Sequence, residues 1–311
     1  MKVTIAIPNF NGEKLLEKNL PNILESGADE VIVLDDGSSD KSLELLLKLT
    51  NENGNLRILK HERNQSFIPS VNELLNNAAG ELVVLLNNDV FVEKDFLKTI
   101  LKHFDNPKVF AVNLHEEGEG PAISFWKNGF YEFKRGEELI KVQKSAWASG
   151  GSAVFRKSIW IELGGFDESY APFYWEDIDI SYRAIKAGYE ILWEYDAKVR
   201  HEHETTIKRN FSERYVRWVQ QRNQLLFIWK NITDPKLKSE HRGGLIKRLF
   251  SGGVGYWIPY FWALTSSVIP AKAGIYKKIL NQVEYARLRR QDDRVDAGEV
   301  RSDLEAINYA S

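Results

Sequence analysis

Three apolar runs in this chain end abruptly in residues that could bind or transfer. Leu82-Val83-Val84-Leu85-Leu86 is followed at once by Asn87-Asn88-Asp89. Lys2 to Ile7 gives way to Pro8-Asn9-Phe10-Asn11-Gly12, and Glu30 to Leu34 gives way to Asp35-Asp36-Gly37-Ser38-Ser39-Asp40. A lone carboxylate among amides, as at Asp89, suits a hard divalent cation that also holds substrate phosphates. The same composition makes ordinary turns after a strand, and for one cluster the two readings are balanced. Chance turns explain three such clusters less well than one.

The elements must bring these clusters to one edge. An aliphatic run without polar alternation predicts a strand covered on both faces, as in a parallel α/β sheet. Leu15, Leu16, Leu20, Ile23 and Leu24 fall at helical spacing after the first strand, and Leu43, Leu45, Leu46, Leu47 and Leu49 predict a helix after the second. Leu56 to Lys60 reads as a third strand, and Ser70 to Ala79 as a helix closed by Gly80. This β-α-β-α-β-α-β order implies a parallel, right-handed, doubly wound sheet. Ligands of such sheets sit outside the carboxyl ends of the strands, where the polar clusters fall.

In order and spacing these residues resemble family 2 glycosyltransferases. The resemblance rests on Pro8-Asn9-Phe10-Asn11, Asp35-Asp36-Gly37-Ser38, Asn64 with Asn72, and Asn87-Asn88-Asp89. It continues through Ser149-Gly150-Gly151, Gly164-Gly165-Phe166-Asp167-Glu168 and Trp175-Glu176-Asp177-Ile178-Asp179, covering about residues 1–230. It implies a GT-A fold, a nucleotide-sugar donor of UDP, dTDP or GDP type, a divalent metal (Mn2+ or Mg2+) and an inverting transfer. The acceptor it implies is a glycan or lipid-linked sugar of cell-surface polysaccharide assembly, as for rhamnosyl- and galactofuranosyltransferases. By the same resemblance Pro8, Asn9 and Phe10 line the nucleoside pocket, Asp36 reads the base edge, and Asn64, Asn72, Asn87 and Asn88 complete the donor site. Asp89 and His201 hold the metal, Asp177 is the general base, and Gly150, Gly151, Trp175 and Glu176 meet the acceptor.

The chain departs from the family at two places. The metal motif is usually Asp-x-Asp, but its first position here is Asn87. Ser66 stands where the family often has Gly. The Gln-x-x-Arg-Trp motif of processive members is absent, since Arg214 precedes Arg217-Trp218.

The second half is less regular. Ile123 to Phe133 predicts a pair of strands, and Glu176-Asp177 opens a helix striped with Ile178, Tyr182, Ile185 and Tyr189. Acidic residues at a helix start are ordinary capping partners, which accounts for one of the two. A helix N-terminus lowers a carboxylate's pKa, whereas the aromatics of Tyr170 to Trp175 push it up by desolvation. His201 and His203 share one face of a strand that begins at Glu190. The resemblance implies a metal-binding His shortly after the base, which favours His201 as a ligand and leaves His203 as a surface residue.

With 42 basic and 44 acidic residues in 311, the net charge of −2 excludes a basic nucleic-acid footprint. The chain has no cysteine, so it has no disulfide, thiolate zinc site or cysteine nucleophile. The first apolar run is too short for a signal peptide, which points to the cytoplasm. Two other functions remain open: a nucleotidyltransferase, though no Gly-rich basic loop follows the first strand, and a non-catalytic sugar-binding relative, which Asn87 favours. The domain reading is 1–106 for donor binding, 107–230 for acceptor and catalysis, and 231–311 for a C-terminal helical appendage. Residues 249–271 lack charge, crowd Tyr256, Trp257, Tyr260, Phe261 and Trp262, and have Lys247, Arg248, Lys272, Lys277 and Lys278 at their flanks. That pattern suits the inner membrane surface, with core packing, a homo-oligomer contact and a membrane span as alternatives. The stretch from Ala286 onward reads as a solvated helix or a disordered tail. Deleting 245–311 is therefore expected to release the protein from membranes and leave donor binding intact.

Overall fold

A computed structural model describes residues 1–93, 95–201, 211–252, 254–268 and 300–311. His203, Arg209, Lys272, Lys277, Lys278 and the stretch 286–299 lie outside the described residues. Strands β1 (Val3–Asn9), β2 (Glu30–Asp35), β3 (Leu56–Lys60) and β4 (Leu82–Leu86) form the first half of one sheet. Their order is β3-β2-β1-β4, all parallel. Helices α1 (Glu13–Leu24), α2 (Ser42–Glu52) and α3 (Phe67–Asn77) connect them.

The unbroken apolar runs follow from cover on both faces. Ile5, Ile7, Val31, Val33, Val84 and Leu86 join one core with Leu16, Leu20 and Ile23 of α1 and Leu46 of α2. Ala6, Ile32, Leu34, Val83 and Leu85, the alternate positions, join the other core with Ile68, Val71, Leu74 and Leu75 of α3. Gly80 does not close α3, which is capped at Ala78. Its role is close approach: a Cβ at Gly80 would lie 2.6 Å from the Thr4 backbone N.

Beyond β4 the sheet turns mixed. β10 (Ser152–Arg156) runs antiparallel between β4 and β6 (Val109–Glu116). β11 (Glu190–His201) runs parallel to β6 and antiparallel to the short β5 (Val90–Val92). The predicted strand pair is a separate hairpin of β7 (Ala122–Lys127) and β8 (Phe130–Arg135), and β9 (Gln143–Lys144) edges β11. Helices α4 (Phe96–Leu101), α5 (Lys157–Leu163) and α6 (Glu176–Lys186) fill the remaining faces, followed by the long α7 (Glu213–Asn231).

The C-terminal region comprises α8 (Pro235–Ser251), α9 (Val254–Val268) and the short α10 (Asp303–Ile307). Leu237, Ala263, Ala306, Ile307 and Tyr309 belong to the same buried cluster as α6 and α7, so packing runs unbroken across residue 230. Residues 300–311 are not the solvated tail their charge suggested. Arg301 donates to the carbonyls of Ile185 and Tyr189, and the Ser124 hydroxyl donates to the Ile307 carbonyl at 2.5 Å. Among the described residues no helix is long and apolar enough to cross a membrane.

Candidate active site

The ends of β1, β2 and β4 meet, and their polar residues form one network. The buried Asn9 amide donates to Asp35 Oδ1 at 3.0 Å and accepts from Asn88 Nδ2 at 2.8 Å. Asp35 also accepts from the Ser38 hydroxyl at 2.6 Å, and Asn19 holds the Asn88 carbonyl at 2.9 Å. Pro8 and Phe10 flank this network and stay partly exposed. Asp36, which is buried, donates its backbone N–H to the Asn9 carbonyl at 2.8 Å.

Asn64 and Asn72 are used for shape. Asn64 Oδ1 accepts from the Ser66 N–H at 2.9 Å and bends the loop ahead of α3. Ser66 itself sits at φ 75°, ψ 169°, a region that is nearly glycine-only. That is the physical content of the family's glycine there: the serine carries about 1–3 kcal/mol of backbone strain. Asn72 spends both ends of its amide on the Phe166 backbone, at 2.9 Å each, and so ties α3 to the Gly164-Gly165 turn. Arg183 grips the same turn from α6, donating to the Leu163 and Gly165 carbonyls.

Asn87 links the halves. Its N–H donates to the Gly151 carbonyl at 2.9 Å, and its side chain lies where a Cβ on Gly151 would be, 2.4 Å away. Gly150, on the other side, points its N–H at Asp177 Oδ2 at 3.4 Å. Asn113 on β6 fixes this strap by accepting from the Ser149 N–H at 2.7 Å and donating to the Trp147 carbonyl at 2.8 Å.

Asp177 is presented by a strained loop. Tyr174 and Trp175, just before α6, both have positive φ, at 70° and 78°. The strain is held by two residues of α7 that no motif marked. Asn223 donates to the carbonyls of Tyr170, Phe173 and Tyr174 at 2.8, 3.0 and 2.8 Å. Arg222 donates to the Ala171 carbonyl at 2.6 Å and lies 4.4 Å from the Trp262 ring of α9. Burial lowers its pKa to about 10. Beneath them, fully buried Asp179 accepts from Tyr170, Asn231 and Arg183.

Trp175 is buried beside Tyr131, Phe133 and Phe227, and Glu176 is equally buried, so neither offers a broad open face. Glu176 Oε2 makes no hydrogen bond among the described residues. Burial, then the neighbouring Asp177 and Asp179 charges, push Glu176 well above the usual carboxylate range. Burial also raises Asp177, against the N–H groups of Ile178 and Gly150 and the Arg135 charge, which lower it. Burial therefore pushes both neighbouring carboxyls in the same direction, toward holding a proton.

Asp89 and His201 are brought together by the antiparallel pairing of β5 with β11, which sets His201 opposite Val90. His201 Nε2 lies 2.9 Å from Asp89 Oδ1. Glu116, at the end of β6, stands 3.5 Å from the other ring nitrogen, Nδ1. Burial disfavours the imidazolium, but the two carboxylates outweigh it and raise the His201 pKa. Among the described residues no three His, Cys, Asp or Glu side chains converge as a complete metal cage. One carboxylate and one imidazole, with a carboxylate orienting the imidazole from behind, still fit an ion that takes its other ligands from phosphates and water.

Comparison with known proteins agrees with this geometry. The model of the family described as "Glycosyl transferase family 2" matches residues 4–164. The O-antigen chain rhamnosyltransferase RfbN of Salmonella typhimurium is 27% identical over 235 residues, 69% of this chain and 70% of that protein. GalNAc-T7, solved with UDP, GalNAc and Mn2+, superposes with a TM-score of 0.62 at 15% identity, covering 82% of this chain and 57% of that one. Mannosyltransferase PcManGT from Pyrobaculum calidifontis, solved with GDP-Man and Mn2+, gives a TM-score of 0.56 at 18% identity, covering 94% of this chain and 88% of that one. The family match spans just over half of the 311 residues and contains the polar network at the ends of β1, β2 and β4, so this chain belongs to glycosyltransferase family 2 and is a glycosyltransferase of GT-A fold.

Proposed function

We propose that this enzyme moves a sugar, with inversion, from a nucleotide-diphosphate donor to a hydroxyl of a glycan or lipid-linked acceptor. The observation that carries the reading is the strap Gly150-Gly151, which touches donor-side Asn87 at one residue and Asp177 at the next. The acceptor oxygen attacks the anomeric carbon from the face opposite the diphosphate. Asp177 takes the hydroxyl proton as the new bond forms and the bond to the diphosphate breaks. Attack from the opposite face is what inverts the centre.

Asn9, Asn88 and Asp36 hold the nucleotide end beside Pro8 and Phe10. Asn64, Asn72 and Asn87 position the loops around it, and Trp175 and Glu176 shape the acceptor side. Asp89 and His201 would hold a divalent ion, Mn2+ or Mg2+, with Glu116 fixing the ring. Such an ion, when bound, offsets the charge that develops on the leaving diphosphate. Transfer is expected to stop in excess EDTA and to return when Mn2+ is restored. Glu116→Gln should weaken metal-dependent donor binding by about ten- to a hundredfold, the usual cost of losing an orienting partner. A donor-hydrolysis assay across UDP-, dTDP- and GDP-sugars reads both, and full activity in EDTA would remove the metal from the reading.

Residues 1–230 carry the chemistry in this proposal, and the described residues beyond them, Leu237, Ala263, Ala306, Ile307 and Tyr309 among them, brace it. Ile246, Phe250, Trp257, Ile258 and Phe261 are exposed along α8 and α9, with Phe250 85% exposed. Basic Arg242 and Lys247 are exposed beside them, whereas Arg248 is spent on Glu132 and Gln224. This edge suits the interface of an anionic membrane, where a lipid-linked acceptor presents its sugars. Full-length protein should sediment with anionic liposomes and be partly released by salt. Failure to sediment with them at low salt would assign the edge to another contact.

A further inference from the structure

The nucleotide end of the site contains a histidine that no motif marked. His61 follows β3, and its side chain is 6% exposed. Its Nδ1 lies 2.6 Å from Asp36 Oδ1, and its Nε2 lies 3.0 Å from Glu73 Oε2. The same Asp36 oxygen accepts the Gln65 N–H at 2.8 Å. Asp36 Oδ2, by contrast, takes no hydrogen bond among the described residues. The carboxylate is fixed on its other side as well. Its own N–H is bound to Asn9, and Gly37 is pressed against the Arg63-Asn64 backbone.

We propose that His61 makes Asp36 a one-oxygen reader of the nucleobase, and that this selects uridine or thymidine diphosphate sugars over guanosine ones. The inference rests on Asp36 facing the base, as in the function proposed above. Uracil and thymine present a single ring N–H between two carbonyls, and one free carboxylate oxygen satisfies it. Guanine presents a ring N–H and an exocyclic amine side by side, a pair that matches both oxygens of a carboxylate. With Oδ1 already holding two donors, guanine would leave one N–H buried without an acceptor. Cytosine places a ring nitrogen lone pair against the carboxylate, where two acceptors repel. The occupied oxygen stays occupied, because Asp36 and Glu73 together outweigh burial and favour a His61 that donates from both nitrogens. Both UDP and GDP-Man are found on this fold among the solved structures, so the fold by itself does not decide the base.

The test is calorimetric titration of the full chain with UDP, dTDP, GDP and CDP in the presence of Mn2+. The wild type should bind UDP and dTDP at least about tenfold more tightly than GDP or CDP, the usual size for one unmet buried hydrogen bond. His61→Leu removes one of the two donors on Oδ1, leaving the Gln65 N–H, and should narrow the UDP-to-GDP gap to about threefold, whereas His61→Gln, which keeps a donor beside Asp36, should retain most of it. A purely structural histidine would weaken all four ligands together and leave the gap unchanged. GDP binding as tightly as UDP in the wild type overturns the proposal without any variant. So does an unchanged gap in a His61→Leu protein whose melting curve is intact. If none of the four ligands binds, the donor site itself is wrong and this inference falls with it; binding with a guanine preference sinks the inference alone.

Discussion

Asp177→Asn is expected to lower sugar transfer by at least about a hundredfold, the usual cost of losing a general base. The substitution keeps the shape of the side chain and an oxygen for the Ile178 N–H, which Asp177 now accepts at 2.8 Å. What it loses is the capacity to take a proton. Donor and metal affinity, measured separately by titration, should therefore stay near wild type. The pH profile gives a second reading. A base works only when ionised, and burial raises Asp177 above the ordinary aspartate value. Transfer should thus rise with pH through a midpoint above about 4, and that limb should be missing from the residual activity of Asp177→Asn. Wild-type-like turnover in the variant would take the base role away from Asp177.

Asp303→Ala should destabilise the whole protein although it lies far from any transfer chemistry. The Asp303 side chain is 1% exposed. Its Oδ1 accepts from Tyr182 at 2.7 Å and Lys186 at 2.6 Å, and its Oδ2 accepts from the N–H groups of Thr233 and Asp234, both at 2.6 Å. Removing it leaves a partly buried ammonium, a buried phenol and two backbone donors without this acceptor. Breaking such a pair from one side costs about 3–5 kcal/mol, read as a lower urea midpoint. Those hydrogen bonds hold the Asp303 pKa below its ordinary value against the effect of burial. Its contribution is therefore present above the unfolded-state pKa and lost as pH falls through the lower folded-state one. An unchanged midpoint in Asp303→Ala would show that residues 300–311 are ornamental. By the same argument, deleting 245–311 should not leave a free-standing donor-binding unit; it should strip the core.

The strands and the polar cluster at their ends were legible because their signals are local. An aliphatic run covered on both faces needs only its own residues to be recognised, and the Asn and Asp that end it follow within three positions. The helix opening at Glu176 was legible for the same reason. What holds Asp177 in place was not, since Arg222 and Asn223 look in sequence like the polar face of an amphipathic helix. Only the packing of α7 against the 169–174 loop turns them into a clamp for five carbonyls and two positive-φ residues. Glu116 required the register of β6 with β11, and His61 required β3 to lie beside β2. Residues 300–311 were misread because four of the last twelve residues are charged or amide, and the residues that dock them lie between 69 and 183 positions away. The Ser66 departure was visible as a substitution, but its cost appears only with the backbone angles.

The docking of α10 onto α6 also sets an order of events in synthesis. Tyr182 and Asp303 are 121 residues apart. At ~5–20 residues per second, Tyr182 waits ~6–24 s for the partner that secures the far end of its helix. A nascent chain passes through a stage at which every transfer residue has been made while Lys186 still lacks its carboxylate. Family-matched sequence and a finished fold are thus separated in time, and an abortive product released in that interval would carry the proposed catalytic residues on a helix whose C-terminal end still lacks its Asp303 partner.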